Sequence, residues 1–209
     1  MSMPTGNMDP YVYPGTSVLK NLRDIRNPEL LSKFEMDMTT RRLSELARKL
    51  QLERFSTQHL QAIHKHIFKD VYSWAGQFRS VNISRSGDSF AFSEYINSSL
   101  DNIFEELRED LCLGGADNDQ FSKGAAHYMG ELNAIHPFRD GNGRTQRELI
   151  RQLARRNGYA LDWSRVSQEQ MYDASRQSFR QADYSGLEKV IGSALSADIP
   201  SSSGRDNDR

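Results

Sequence analysis

The chain carries one cysteine, Cys112, so no disulfide can close within it. That fits a reducing compartment, and a cytoplasmic location is the expectation. Cys112 sits in the apolar run Leu111-Cys112-Leu113 and reads as core filler. Charge of one sign is also lacking: 27 Lys and Arg stand against 28 Asp and Glu. A general nucleic-acid binder is usually strongly basic, so no direct nucleic-acid contact is expected. No apolar run approaches the length of a bilayer span, so no membrane partner is expected either. The first residues, MSMPTGNMDPYVYPG, lack the basic-then-apolar pattern of a signal peptide.

What is present is mostly helical periodicity. From Pro28 to Leu52 apolar residues recur as a stripe, among them Leu31, Phe34, Leu43 and Leu46. Either Pro28 in a first turn or a Ser32–Glu35 capping box would start that helix. A second helix is expected from Ser56, burying Leu60, Ile63, Ile67, Phe68 and Val71. His59, His64 and His66 lie along it at spacings that do not share one face. They read as helix-surface or core-edge residues rather than metal ligands. Further helices are expected over 93–113, with Leu111 inward, then 119–135, from Gly143 to about Asn157-Gly158, 167–182 and 184–198. Arg151, Arg155 and Arg156 read as a solvated face. Between these, 78–84 and 89–92 alternate around a turn signal at 85–88, giving the one expected β-hairpin. Residues 1–198 read as one domain, and 199–209, rich in Ser and Asp, as a disordered tail.

The densest chemistry lies in His136-Pro137-Phe138-Arg139-Asp140-Gly141-Asn142-Gly143-Arg144-Thr145-Gln146-Arg147. The residue before a proline is pushed out of helical space, so one helix ends at His136 and another begins after the glycines. Free N–H groups at the start of that second helix form a ready anion site. Gly141 and Gly143 permit positive φ and let a phosphate approach without a Cβ in the way. Asn142 tolerates the left-handed region and can tie the loop down with its amide. Arg144 and Arg147, three apart, share a face in the first turns. Cations are disfavoured at a helix N-terminus, so their presence implies a compensating anion such as a phosphate chain. Asp140 is well placed to hold Mg²⁺ bridging phosphate oxygens. His136, on the other lip, is a general base for an incoming hydroxyl. A lone Gly-Asn-Gly is commonly only a turn, and a lone histidine only a core or capping residue. The joint spacing of base, acid, glycines and arginines is what points to binding and cutting a nucleoside triphosphate.

The same segment resembles the signature of Fic-domain proteins, His-x-Phe-x-(Asp/Glu)-Gly-Asn-Gly-Arg-x-x-Arg, at every fixed position. The DPYVYPG stretch, Tyr72-Ser73-Trp74-Ala75-Gly76 and Ser89-Phe90-Ala91-Phe92 are also similar to bacterial members, so the resemblance spans 9–198. It implies a mainly α fold, a Fic-type helical bundle with one β-hairpin flap beside the active site. It implies transfer of AMP from ATP to a Ser, Thr or Tyr hydroxyl of a target protein, with Mg²⁺. His136 would be the base, Asp140 the metal ligand, and Gly141, Asn142 and Gly143 the phosphate cradle. Arg144 would contact the β-phosphate and Arg147 the γ-phosphate. Ser89, Phe90, Ala91 and Phe92 would form the flap that registers the target by strand addition. A glycine at 143 favours AMP transfer, since family members that phosphorylate their targets carry a bulkier residue there. Many members are restrained by a Ser/Thr-x-x-x-Glu-Gly/Asn helix, and no glutamate of this chain is followed by Gly or Asn. The expectation is a toxin restrained by a small antitoxin protein that supplies a glutamate to Arg147. An effector injected into a host cell to modify GTPases, and a non-catalytic nucleotide-binding interaction module, are the alternatives. The intact His136 argues against the last, since binding alone needs no base.

Overall fold

Asn27 sets the start of the first helix, α1 (Pro28–Arg48): its side-chain oxygen accepts the N–H groups of Glu29 and Leu30, both at 3.0 Å. Pro28 takes the first helical position, where its missing N–H would have had no partner. The Ser32–Glu35 alternative is not used, because the Glu35 carboxylate turns inward to Arg144. This computed structural model describes residues 9–48, 54–85 and 87–197. The expected extension of α1 to Leu52 and the tail at 199–209 therefore lie outside the described residues.

Ser56 caps α2 (Thr57–Phe68), accepting the His59 N–H at 3.2 Å. Its inner face, Leu60, Ile63, Ile67 and Phe68, is buried as the periodicity requires. The histidine reading needs correction. His59 and His64 are 4% and 0% exposed, well inside rather than at the helix surface. His64 tolerates this because both ring nitrogens are satisfied: Nδ1 accepts the Gly76 N–H at 2.8 Å, and Nε2 meets the Asp140 carbonyl at 3.1 Å.

The hairpin is present but much shorter than the alternation suggested. β1 (Ser84–Arg85) pairs antiparallel with β2 (Asp88–Ser89), so residues expected in the turn belong to the ladder. Phe78 to Asn82 does not pair with Phe90 to Phe92. The Arg79 N–H donates instead to the Pro137 carbonyl at 2.9 Å, binding that run to the loop after His136.

A 3₁₀ turn at Ser93–Tyr95 leads into α3 (Ile96–Glu109), which buries Ile96, Leu100, Ile103, Phe104 and Leu107. A second 3₁₀ turn, Leu111–Leu113, interrupts the expected continuation. It turns Leu111 outward, to 74% exposure, while Cys112 is buried. Asp117 and Gln120 form a reciprocal capping box at the start of α4 (Asn118–Ile135). This central helix packs against α3, α5 (Asn142–Arg156), α6 (Gln168–Gln181) and α7 (Ser185–Ala194). The basic run on α5 is not a free face. Arg151 pairs with Glu148 at 2.7 Å, and Arg155 donates to the Ala47 carbonyl at 3.2 Å, closing α5 onto α1.

A second strand pair was not anticipated. β3 (Tyr159–Leu161) lies antiparallel to β4 (Leu195–Ala197), with Leu161 opposite Leu195. The last helix therefore stops at Ala194 instead of continuing to 198. The mainly α architecture holds, and among the described residues no helix is long and apolar enough to cross a membrane.

Candidate active site

The loop between α4 and α5 is shaped by its own side chains. Phe138 is fully buried, with its ring 3.8 Å from the His64 ring, centroid to centroid, in near-parallel stacking. Asn142 is 2% exposed and closes the loop on itself. Its Oδ1 accepts the Phe138 N–H at 2.9 Å, and its Nδ2 donates to the Phe138 carbonyl at 2.8 Å. The Asn142 side chain is thus committed to the loop, leaving its backbone for the helix N-terminus.

Only one of the two glycines needs positive φ. Gly141 has φ +80°, and a Cβ there would lie 2.3 Å from the Phe68 ring. Gly143 is an ordinary helical residue, and the nearest atom to a Cβ would be Arg147 Nη1 at 3.4 Å. The fold requires glycine at 141. At 143 it permits a methyl group, so the glycine leaves open space on the cavity side.

His136 ends α4 in the left-handed region, φ 49° and ψ 61°. A preceding residue normally escapes proline into extended space, so this is an unusual backbone for a non-glycine. Its Nδ1 lies 3.3 Å from the Asn133 carbonyl, an acceptor, which assigns the proton to Nδ1 and leaves Nε2 with a free lone pair. Phe90 of the flap stacks on the imidazole at 3.9 Å, with Phe179 edge-on behind it. Burial is the main reason its pKa falls to about 4, with Arg79 and Arg85 pushing the same way against the Asn133 bond.

Across a cavity of about 580 Å³ lie Asp140, Gly141, Asn142, Gly143, Arg144 and Arg147, with His136 on the same lining. The structure thus brings the predicted base, acid, cradle and arginines to one concavity. The two arginines differ sharply. Arg144 Nη2 meets Glu35 Oε1 at 2.5 Å, Nη1 donates to Thr39 Oγ1 at 3.3 Å, and the guanidinium lies 4.6 Å over the Phe68 ring. Tyr72 donates to the other Glu35 oxygen. The Arg147 guanidinium makes no hydrogen bond or ion pair with a described residue. Burial, and then repulsion from Arg144, lowers its pKa below the usual arginine value. Arg85, Arg144 and Arg147 face the cavity against the carboxylate of Asp140, with Glu35 held by Arg144 behind them, so the site is short of negative charge.

Asp140 is exposed at the mouth, with Oδ1 accepting the Gly141 N–H at 2.5 Å. No cluster of three or more His, Cys, Asp or Glu able to hold a metal occurs among the described residues. A single hard carboxylate suits Mg²⁺, which commonly takes one or two protein oxygens and completes its shell from phosphates and water. The residues fit that ion when it arrives with a phosphate chain.

Several residues of the site had escaped notice in the sequence. Trp163, Met171, Tyr172 and Ser175 line the cavity from the segment after β3 and from α6. In the sequence Glu35 reads only as a partner in a cap, and Arg79 only as one residue of an alternating run. No local pattern links these positions to His136, because the fold alone brings them there. The hairpin residues stand beside His136: Phe90 stacks on its ring, the Ala91 N–H donates to the Ala134 carbonyl at 3.2 Å, and Phe92 is 59% exposed. Ser89 lies in β2.

Comparison with known proteins agrees with this geometry. Residues 54–154 match the model of the Fic/DOC family. The chain is 44% identical to the protein adenylyltransferase VbhT of Bartonella schoenbuchensis over 83% of its own length, but that match spans 36% of the longer relative. It is 35% identical to a probable protein adenylyltransferase Fic of Salmonella typhimurium, covering 90% of this chain and 92% of the relative. Among solved structures, BepC of Bartonella tribocorum with bound AMPPNP superposes with a TM-score of 0.83, covering 90% of this chain and 96% of that one at 22% identity.

Proposed function

This chain belongs to the Fic/DOC family, and from that premise we propose that it is a protein adenylyltransferase, moving AMP from ATP to a hydroxyl side chain of a target protein. One observation carries the reading. His136, with Nε2 unbonded, and the Arg147 guanidinium, both without a partner there among the described residues, line one cavity together with Gly143, which adds no side chain to it.

The roles follow from that arrangement. Phosphate oxygens rest on the first N–H groups of α5, where the helix dipole favours negative charge. Arg144 grips from a fixed position, and Arg147 supplies a charge that has no partner among the described residues. Held at both ends, the triphosphate presents its α-phosphorus toward His136. The target hydroxyl oxygen bonds to that phosphorus as His136 Nε2 takes its proton, and the bond to the pyrophosphate oxygen breaks. The leaving pyrophosphate stays on the arginines. Asp140 would hold Mg²⁺, which would supply neutralisation of the phosphate charge. The flap carries an exposed Phe92 beside the base, which suits a target segment laid along it.

Arg147 also supports a reading for regulation. A half-buried cation without a counter-ion among the described residues is a site for a carboxylate supplied in trans, so a small antitoxin protein contributing a glutamate fits it. Such a chain would bind in competition with the γ-phosphate.

Incubation with α-labelled and γ-labelled ATP in bacterial lysate tests the reaction. The α label alone should pass to protein, and His136→Ala should lose that transfer while retaining ATP binding. Transfer of the γ label would replace adenylyl transfer by phosphorylation.

A further inference from the structure

Arg79 is 2% exposed, and it has no carboxylate partner among the described residues. Its guanidinium donates to four backbone carbonyls instead. Nε meets the His136 oxygen at 2.9 Å, Nη1 the Val81 oxygen at 2.7 Å, and Nη2 both the Ile135 oxygen at 3.2 Å and the Ala91 oxygen. These acceptors come from three places: the last turn of α4, the run before the hairpin, and the flap. The backbone N–H of the same residue holds the Pro137 carbonyl.

We infer that Arg79 is a positioning residue for the transfer reaction, fixing the backbone of His136 and the flap at Ala91 in one rigid relation. The inference rests on the adenylyl-transfer reading above. Two physical facts support it. The final carbonyls of a helix lack intrahelical donors and carry the negative end of its dipole, so a buried cation is stabilised there. His136 also sits in a left-handed conformation that a non-glycine residue holds only when its surroundings over-determine it. The bond from Arg79 to the His136 carbonyl, with that from its N–H to the Pro137 carbonyl, supplies the constraint. A planar fork with five N–H donors can reach carbonyls on three segments, and a single lysine ammonium cannot. The phosphate cradle, by contrast, is closed by the two hydrogen bonds between Asn142 and Phe138, and Arg79 is a partner in neither.

The test is Arg79→Lys in the full chain, which keeps the charge and loses the fork. Binding of ATP with Mg²⁺ is measured by calorimetry, and transfer of α-labelled ATP is measured at increasing concentrations of bacterial lysate. ATP affinity should stay within about twofold of the wild type, transfer at saturating lysate should fall at least about tenfold, and half-saturation should move to higher lysate. Unchanged transfer overturns the inference, as does a loss of ATP affinity matching the loss of transfer, because Arg79 would then act through the cradle or the fold. The wild type supplies a reading that needs no folded variant. The Arg79 Nε–H should exchange slowly with water by NMR, and exchange as fast as at exposed Arg156 also overturns it. A wild-type chain that transfers no label counts against adenylyl transfer itself, and the exchange measurement still decides what Arg79 holds.

Discussion

Glu35 and Arg144, 109 positions apart in the sequence, meet at 2.5 Å on the wall of the candidate active site. The carboxylate is 14% exposed and the guanidinium 25%, so solvent screens the pair only partly. A charge-assisted hydrogen bond of this kind contributes about 1.5–3 kcal/mol. Glu35→Gln should therefore raise the KM for ATP roughly tenfold or more through loss of Arg144 placement. Tyr72→Phe, which removes a donor to the same carboxylate, should give a smaller effect in the same direction. Steady-state transfer kinetics with varied ATP check both, and an unaltered KM in Glu35→Gln would remove Glu35 from the phosphate grip.

His136 should act as a base across an unusually wide range. Its pKa is lowered to about 4, chiefly by burial, so the neutral imidazole dominates above that value. The acid limb of the transfer rate is expected near pH 4 instead of near the ordinary histidine value of 6.5. A pH profile with a midpoint between 6 and 7 would contradict the burial of this ring beneath Phe90.

His64 gives a stability effect of defined sign. Burial lowers its pKa from 6.5 to about 3, so the unfolded chain takes up the proton first as pH falls. The stabilisation is fully present above pH 6.5 and is lost progressively as pH falls toward 3. Thermal melts stepped through that window should show a declining Tm, and His64→Asn should flatten the decline while lowering Tm throughout. His136 contributes with the same sign, so part of the slope should remain.

The two glycines of the loop should separate folding from chemistry. Gly141→Ala places a Cβ 2.3 Å from the Phe68 ring at φ +80°, which should destabilise the fold by about 2–4 kcal/mol. Gly143→Ala meets nothing nearer than 3.4 Å, so Tm should hold or rise while ATP affinity and transfer fall. Differential scanning calorimetry beside the labelling assay distinguishes them, and equal stability losses at both positions would refute the distinction.

Arg147→Ala should likewise divide stability from activity. Its guanidinium is half-buried and has no partner among the described residues, so removing it should leave Tm unchanged or raised. Transfer should fall by about 2.7–4 kcal/mol in activation terms, the usual loss for one placed electrostatic donor. A strongly lowered Tm would mean that the arginine has a structural partner after all.

Much of this was legible in the chain because it is written locally. Ser56 before Leu60 and Ile63, and Gly141 between two helices, each act within a few residues of where they stand. The His136 to Arg147 cluster could be read for the same reason: one loop and one helix turn hold base, acid, cradle and arginines. What escaped depends on distance along the chain. Tyr159 to Leu161 is too short to signal a strand until Leu195 to Ala197 arrives beside it. His64 reads as a helix-surface or core-edge residue because nothing in its own helix shows that Gly76 and Asp140 will satisfy its nitrogens. The hairpin was overextended because alternation at Phe78 to Asn82 could not reveal that its hydrogen bonds go to Pro137 instead of to a sister strand.

Asp9 reaches Arg139 at 2.7 Å across 130 positions, as Glu35 reaches Arg144 across 109. Both partners of the loop lie ahead of residue 54, where the family match begins. A chain trimmed to 54–154 would keep every residue of the signature and lose the outer brace on two of its arginines. The shortest recognisable motif is thus smaller than the unit that holds its loop in place, and the first helix braces that loop through Glu35 although no signature residue lies in it.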